Sequence, residues 1–366
     1  MLKLLILSVA LGAVPARAQQ PAPAQGDPLQ ASLAKLKDQA PAVRRQGAYE
    51  LGAMHRSESA PGLLETLNDP DPLVRSAVAD ALGFLRAPAA VGPLGKMLSS
   101  DPEAGPRQSA ATALAFMADA SVAPVLIAAL DKDKAVAVRY AVVRTLGILR
   151  VAAAVPALTR ALKDPDGGLR SAAAAALGAL QSHDALPGLQ TALADKDASV
   201  RYESARALGN IGDASAANAL QTALKDADVN VRLGAVQALA RMGDLSGLPE
   251  ALAALRSPQT NARQLAANAL GMIGDAKTGY PALEQAYAAE QDPNTKKIID
   301  FARIQLRARL GIKVAPAAVS PPPPAPGAVQ PPSGVAAAKH GKGTAHKKKS
   351  GAAKKAAPPA AQPPAP

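Results

Sequence analysis

The chain has 366 residues, 48% of them apolar but only 2% aromatic, with no Trp, no Cys and four His. The lack of Cys excludes disulfides, thiolate nucleophiles, thiolate zinc sites and a lipobox cysteine; so few His leave little for catalysis or metal binding, and a core without Trp must be built from Ala, Leu and Val, which suits helix against helix better than a sandwich or barrel. The net charge of +12 is uneven: eight Lys and no acid fall in residues 313–366, Lys3 and Arg17 lie in residues 1–18, and the span 19–312 is close to neutral, so any attraction for anionic partners belongs to the end of the chain.

Residues 1–18 read as a secretory signal peptide. A positive start at Met1–Lys3 precedes an apolar run from Leu4 to Val14, and Ala16 and Ala18 supply small residues at −3 and −1 of a cut after Ala18. The run is too short for a membrane span, which needs about 20 residues, and no later stretch qualifies. Residues 19–28 are a Pro/Ala/Gln leader without helical pattern. The mature protein is therefore expected in the periplasm or outside the cell, with no transmembrane span.

A repeat of about 31 residues fills the middle. An Arg recurs with a Leu seven residues later at Arg44/Leu51, Arg75/Leu82, Arg107/Leu114, Arg139/Leu146, Arg170/Leu177, Arg201/Leu208, Arg232/Leu239 and Arg263/Leu270, and a degenerate ninth unit puts Lys297 and Ile304 in those places. Each unit predicts two helices. The first opens near a Pro such as Pro61, Pro124, Pro156 or Pro187, where a missing N–H is tolerated, and carries paired leucines such as Leu63/Leu67 and Leu158/Leu162 on one face.

An acidic turn such as Asp69-Pro70-Asp71 or Asp195-Lys196-Asp197 follows, its Asp suited to N-cap the second helix. Two of the Arg spacings are 32 instead of 31, and the extra residue is expected in this turn. The second helix ends at Gly212, Gly243 or Gly274, where Gly can take the left-handed conformation. The Gly of Ala-Leu-Gly (Gly52, Gly83, Gly147, Gly178, Gly209, Gly271) costs about 1 kcal/mol in a helix; close approach of a neighbouring helix accounts for it.

The pattern of Pro, Leu-x3-Leu, Asp-x-Asp, Val/Leu-Arg and Ala-Leu-Gly over residues 29–310 resembles the HEAT repeat, and more closely the short bacterial HEAT-like units first grouped with phycobilin lyases. The resemblance implies an all-α fold: a right-handed α-solenoid of about nine hairpins over 29–312, with the second helices lining a concave side. In HEAT-like proteins the repeated Arg pairs with turn acids and carbonyls of adjacent units. Arg44, Arg75, Arg107, Arg139, Arg170, Arg201, Arg232 and Arg263 are accordingly expected to form a structural ladder, since a residue present in every unit serves what every unit shares.

Two enzyme types share the resemblance. Deoxyhypusine hydroxylase uses His-Glu dyads to hold iron, and the chain has no His-Glu pair; a phycobilin lyase role would need a bilin-sized cleft and a phycobiliprotein partner. No phosphate loop or nucleophile elbow is present. No cofactor and no nucleic acid are expected.

Recognition is expected where units differ. Counting from the ladder Arg, positions +1 and +5 of the second helix point away from the packed face, and two units share Tyr and Arg there: Tyr140/Arg144 and Tyr202/Arg206. Tyr and Arg are enriched at binding hot spots. The other expectation is that Tyr stacks on the Arg four residues later and only solvates the face.

Residues 313–366 contain 13 Pro and 16 Ala, with a four-proline run at Pro321–Pro324. This composition predicts an extended tail without a core. Its polybasic block, Lys339, Lys342, Lys347, Lys348, Lys349, Lys354 and Lys355, fits an anionic envelope polymer or lipid surface. The expected function is an exported non-catalytic scaffold that binds another protein on its concave face. The alternatives are an envelope anchor or spacer held by the tail, and a lyase or metal-dependent enzyme.

Overall fold

The computed structural model describes residues 27–312; the signal segment, most of the leader and the whole tail, with its lysines, lie outside the described residues. Spatial clustering divides the chain at residues 313/314, and the second unit falls wholly in the undescribed part. Among the described residues there are eighteen α-helices and no strand.

The helices pair into nine hairpins. The first helices are α1 (Pro28–Lys35), α3 (Ala60–Thr66), α5 (Val91–Ser100), α7 (Ala123–Lys132), α9 (Val155–Ala161), α11 (Leu186–Ala192), α13 (Ala217–Ala223), α15 (Leu248–Ala254) and α17 (Gly279–Ala289). The second helices are α2 (Pro41–Met54), α4 (Pro72–Phe84), α6 (Ala104–Met117), α8 (Val136–Ile148), α10 (Gly167–Leu180), α12 (Ala198–Ile211), α14 (Val229–Arg241), α16 (Thr260–Ile273) and α18 (Pro293–Leu310). Each second helix packs on the second helix before and after it and on its own first helix, so the stack follows chain order. This is a helical solenoid.

The +7 leucines from Leu51 to Leu270 are all fully buried. Each is a plug whose loss to Ala would cost about 2–5 kcal/mol. The Ala-Leu-Gly glycines stand where the second helices come closest: a Cβ on Gly83, Gly178 or Gly209 would lie 2.8, 2.7 or 2.6 Å from the Cα of Ala113, Ala207 or Ala238. Each partner is the +6 residue of the next unit, so a Gly of one helix and an Ala of the next fit face to face.

In the fourth unit, which follows a unit carrying Ala115 in place of Gly, the +6 residue is Thr145. Its buried hydroxyl donates both to Ala141 O in its own helix and to Ala111 O of α6, at 2.9 and 2.8 Å.

The structure corrects the sequence reading at three places. The extra residue of the 32-residue spacings lies at the end of the first helix, not in the turn. Helices α5 and α7 run ten residues against seven for α9, α11 and α13, and the ladder Arg stays six residues after the turn acid, bound to that acid's own carbonyl.

Gly274 has φ −57 and ψ 150, unlike Gly212 and Gly243 at φ +74 and +79. Space, not handedness, demands Gly there, because a Cβ would sit 2.5 Å from Leu270 O and 2.7 Å from Leu306 Cδ2. Elsewhere the same left-handed position is held by His55, Arg86, Ala118, Arg150 and Gln181, all at φ near 50°.

The register of the ninth unit shifts by one. Ala302 is the residue against Gly271, and Asp292 caps α18 by accepting from Thr295 N. Both offsets put Lys296, not Lys297, in the Arg place. The +7 residue is then Arg303, ion-paired to Glu284 and Asp300 and stacked 4.3 Å from the Tyr287 ring centroid. Ile304 takes the glycine place and is 46% exposed, because no further helix among the described residues approaches it.

Candidate functional site

Most of the eight repeated arginines share one geometry. Arg44, Arg75, Arg107, Arg170 and Arg201 each present Nε and one terminal nitrogen to both oxygens of the next unit's turn acid: Asp69, Asp101, Asp133, Asp195 and Asp226, at 2.6–3.0 Å. The other terminal nitrogen donates to two carbonyls of the arginine's own turn, for Arg170 those of Asp164 and Pro165 at 2.9 and 3.1 Å.

Arg139 reaches Asp164 through one nitrogen only, and its Nε is buried without a partner. Ser257 stands where the next turn acid would be, and Arg232 turns to Glu250 of α15 at 2.8 Å. Arg263 takes both oxygens of Glu290. Hydrogen bonds from Arg170, Arg201 and Arg263 hold the carboxyls of Asp195, Asp226 and Glu290 below their ordinary values. The guanidiniums face inward between turns, and Arg170 is buried.

The second-helix face is different in kind. Its outward tiers are positions +1, +5 and +9, one helical turn apart. Tyr140 and Arg144 are both exposed on α8. With Ile148 and Arg150 they form one wall of a groove of about 510 Å³, whose other wall is Ala172, Ala175, Ala176 and Ala179 of α10.

Tyr202 and Arg206 are not equivalent to this pair. The Tyr202 ring leans on the next second helix, where a Cβ on Gly234 would meet it at 2.9 Å. Burial, with Glu203 alongside, pushes its phenol up. Arg206 is taken by Glu203 at 2.6 Å. At the seventh unit the +1 and +5 tiers close, while Arg241 at +9 stays exposed: Leu233 is fully buried and Gln237 donates to Leu265 O of α16 at 3.1 Å. The expectation that +1 and +5 always point outward therefore fails there, because α16 packs on that side of α14.

Sequence reasoning overlooked the +9 tier. Phe84, Phe116 and Ile148 end three successive second helices and are 51%, 41% and 61% exposed, with the two Phe rings 5.6 Å apart. The signal was present in the chain: large apolar residues hold one offset in three successive units, and again at Met272, where the others carry Ala53, Ala179, Asn210 or Arg241.

Among the described residues no group of three or more His, Cys, Asp or Glu is placed to hold a metal ion, and no helix is long and apolar enough to cross a membrane. His55 is an exposed helix cap, and His183 meets Asp213 at 2.9 Å on the surface.

The family model for HEAT repeats matches residues 29–115, 93–178, 161–228 and 220–299. No curated protein sequence matches the chain. Among solved structures, the complex of CpcE and CpcF of phycocyanin lyase from Nostoc sp. PCC7120 is 27% identical over 63% of this chain and 92% of that one, with a TM-score of 0.41. Human deoxyhypusine hydroxylase is 25% identical over 59% and 84%, with a TM-score of 0.31. Kap95p, in its structure with RanGDP, is 13% identical over 76% of this chain and 47% of that one, with a TM-score of 0.55, a likeness of fold. With hairpins stacked in chain order, an interunit Arg–acid geometry and family matches running from residue 29 to residue 299, the chain belongs to the HEAT-repeat family.

Proposed function

We propose that the protein is an exported, non-catalytic scaffold that binds another protein through its second-helix face, the concave side in the family's solenoids. The observation that carries this is a division of labour among the arginines. The ladder arginines donate to turn acids and turn carbonyls within the stack. Arg144 and Arg150, by contrast, line an open groove beside Tyr140 and Ile148 and enter no ion pair among the described residues. Residues that build the stack and residues left for a partner are thus separated by position in the repeat. The ladder is assigned a structural role on this basis, and export rests on the signal-like residues 1–18.

The test is affinity capture from envelope extracts with the full chain. Replacing Tyr140 and Arg144 together by Ala should remove a native partner, while the same change at Tyr202 and Arg206, which are engaged by Gly234 and Glu203, should remove less. Unaltered recovery with Tyr140→Ala/Arg144→Ala counts against this face.

A second function, anchoring to an anionic envelope polymer or lipid, is favoured by the eight lysines and no acid of residues 313–366. Deleting those residues separates the two: a scaffold keeps its partner, and an anchor loses retention in the envelope fraction in a salt-dependent way.

A further inference from the structure

The outward tiers of the first five units carry an unusual combination of apolar area and uncompensated positive charge. Phe84, Phe116 and Ile148 lie side by side on α4, α6 and α8 and continue into the groove between α8 and α10. Helices in contact are about 8–10 Å apart, so the stripe runs roughly 16–20 Å across the helices, the reach of about six extended residues. The groove's floor is Ala, and its two charged residues, Arg144 and Arg150, form no ion pair within the described residues. Arg86, the left-handed residue just past the end of α4, is likewise exposed and absent from any such pair among the described residues.

Across the +1, +5 and +9 tiers of units one to five a single acid occurs, Asp80. It is half-buried beside Ser109, and burial pushes its carboxyl up.

The geometry points to a partner of defined chemistry on this surface: an extended polypeptide segment whose apolar side chains lie along Phe84, Phe116 and Ile148 and whose Asp or Glu carboxylates reach Arg144 and Arg150. This deepens the scaffold function proposed above and rests on it. Bidentate guanidinium–carboxylate pairing is among the strong charge-assisted contacts open to an exposed Arg. The exposed aromatic and Ile surface supplies the apolar anchor that a central hot spot needs. The basic tail of the same chain carries the wrong sign for this groove.

The test compares two fluorescein-labelled octapeptides on the full chain by anisotropy, one alternating leucine with glutamate and the other leucine with lysine. Because the lysine tail also attracts acids, the informative quantity is the difference between the native chain and Arg144→Gln/Arg150→Gln, which share the tail. The native chain should bind the glutamate peptide at least tenfold tighter than the lysine peptide, and the double variant should lose at least tenfold of that affinity. Phe84→Ser/Phe116→Ser should weaken it severalfold with unchanged helicity, since both rings are exposed.

Equal affinity of native chain and Arg variant for the glutamate peptide overturns the inference. So does a variant-sensitive affinity for phosphatidylglycerol vesicles in the absence of peptide binding, which would make the surface a lipid site. If a native partner is still captured through Tyr140 and Arg144 while the glutamate peptide fails, this inference falls and the scaffold function stands.

Discussion

Arg170 of α10 and Asp195 of the following turn are joined by two parallel hydrogen bonds of 2.7 and 2.8 Å, while the remaining guanidinium nitrogen of Arg170 holds Asp164 O of its own turn at 2.9 Å. One side chain thus ties together two hairpins that have no covalent reason to keep their register. Asp197 adds a third carboxylate contact at 2.6 Å. Replacing Arg170 by Ala leaves the half-buried Asp195 without its partner; breaking a fully buried pair costs about 3–5 kcal/mol, and partial exposure of the acid puts this one toward the lower end. A thermal melt of Arg170→Ala should show a clear fall in the midpoint with partner binding retained at low temperature. Unchanged stability with lost binding would reassign the arginine to recognition.

The carboxylates of the stack give stability a predictable pH dependence. Hydrogen bonds from Lys35, Ser32 and Gln46 hold Glu50 at about 2 against an ordinary 4.5, and Asp195, Asp226 and Glu290 are lowered by their arginines. A folded-state value below the unfolded one means that the unfolded chain binds more protons, so the contribution is complete above the ordinary carboxylate range and is lost as pH falls through it toward the folded value. Urea midpoints should be flat from pH 7 to about 5 and drop below about 4.5. Glu50→Gln should lower the neutral midpoint and shallow the acid drop. A midpoint unchanged down to pH 3 would contradict the contacts.

Two helical glycines, Gly209 on a second helix and Gly95 on a first helix, should respond with opposite signs. Gly209→Ala gains about 1 kcal/mol in helix propensity but pushes a methyl to 2.6 Å from the Ala238 backbone. Overpacking of that kind costs typically 1–3 kcal/mol, and backbone cannot move aside cheaply, so the net effect is destabilising. Gly95→Ala on α5 meets only Val125 Cγ1 at 3.7 Å, so propensity wins and the melt should rise. Chemical denaturation of the two variants side by side checks the sign of each.

Ala118 caps α6 at φ 54 with its side chain in solvent. A left-handed conformation costs an L-residue about 1–2 kcal/mol, and Gly pays about 0.5–1 kcal/mol in unfolded-state entropy instead. Ala118→Gly should therefore stabilise by a few tenths to about 1 kcal/mol, measured as a shift in urea midpoint. A loss of stability would show that the left-handed cap is not strained.

Much of the fold was legible because the repeat makes eight near-copies of one physical problem. The +7 leucines, the cap Asp and the close-approach glycines such as Gly178 each solve the same packing requirement and so recur at fixed offsets. What was not legible is what departs from the period. The ninth unit's register hinges on Gly271 meeting Ala302 across space, and sequence spacing from Arg263 alone could not decide between Lys296 and Lys297.

The candidate surface was legible in part. Tyr140 and Tyr202 occupy equivalent sequence positions, but Gly234 lets the second ring fold down, a difference set by a residue one unit away. The Phe84–Phe116–Ile148 stripe was readable as a pattern at +9, yet its exposure depends on how the helix ends pack, which the sequence does not give.

The most direct measurement is site-specific photocrosslinking in envelope extracts, with a photoreactive side chain placed either at Ile148 on the second-helix face or at Thr191 on the first-helix side. A discrete protein adduct from position 148 and none from position 191 is the expected result. An adduct from 191 alone, or none from 148 in an extract that still yields a captured partner, would contradict recognition through the second helices.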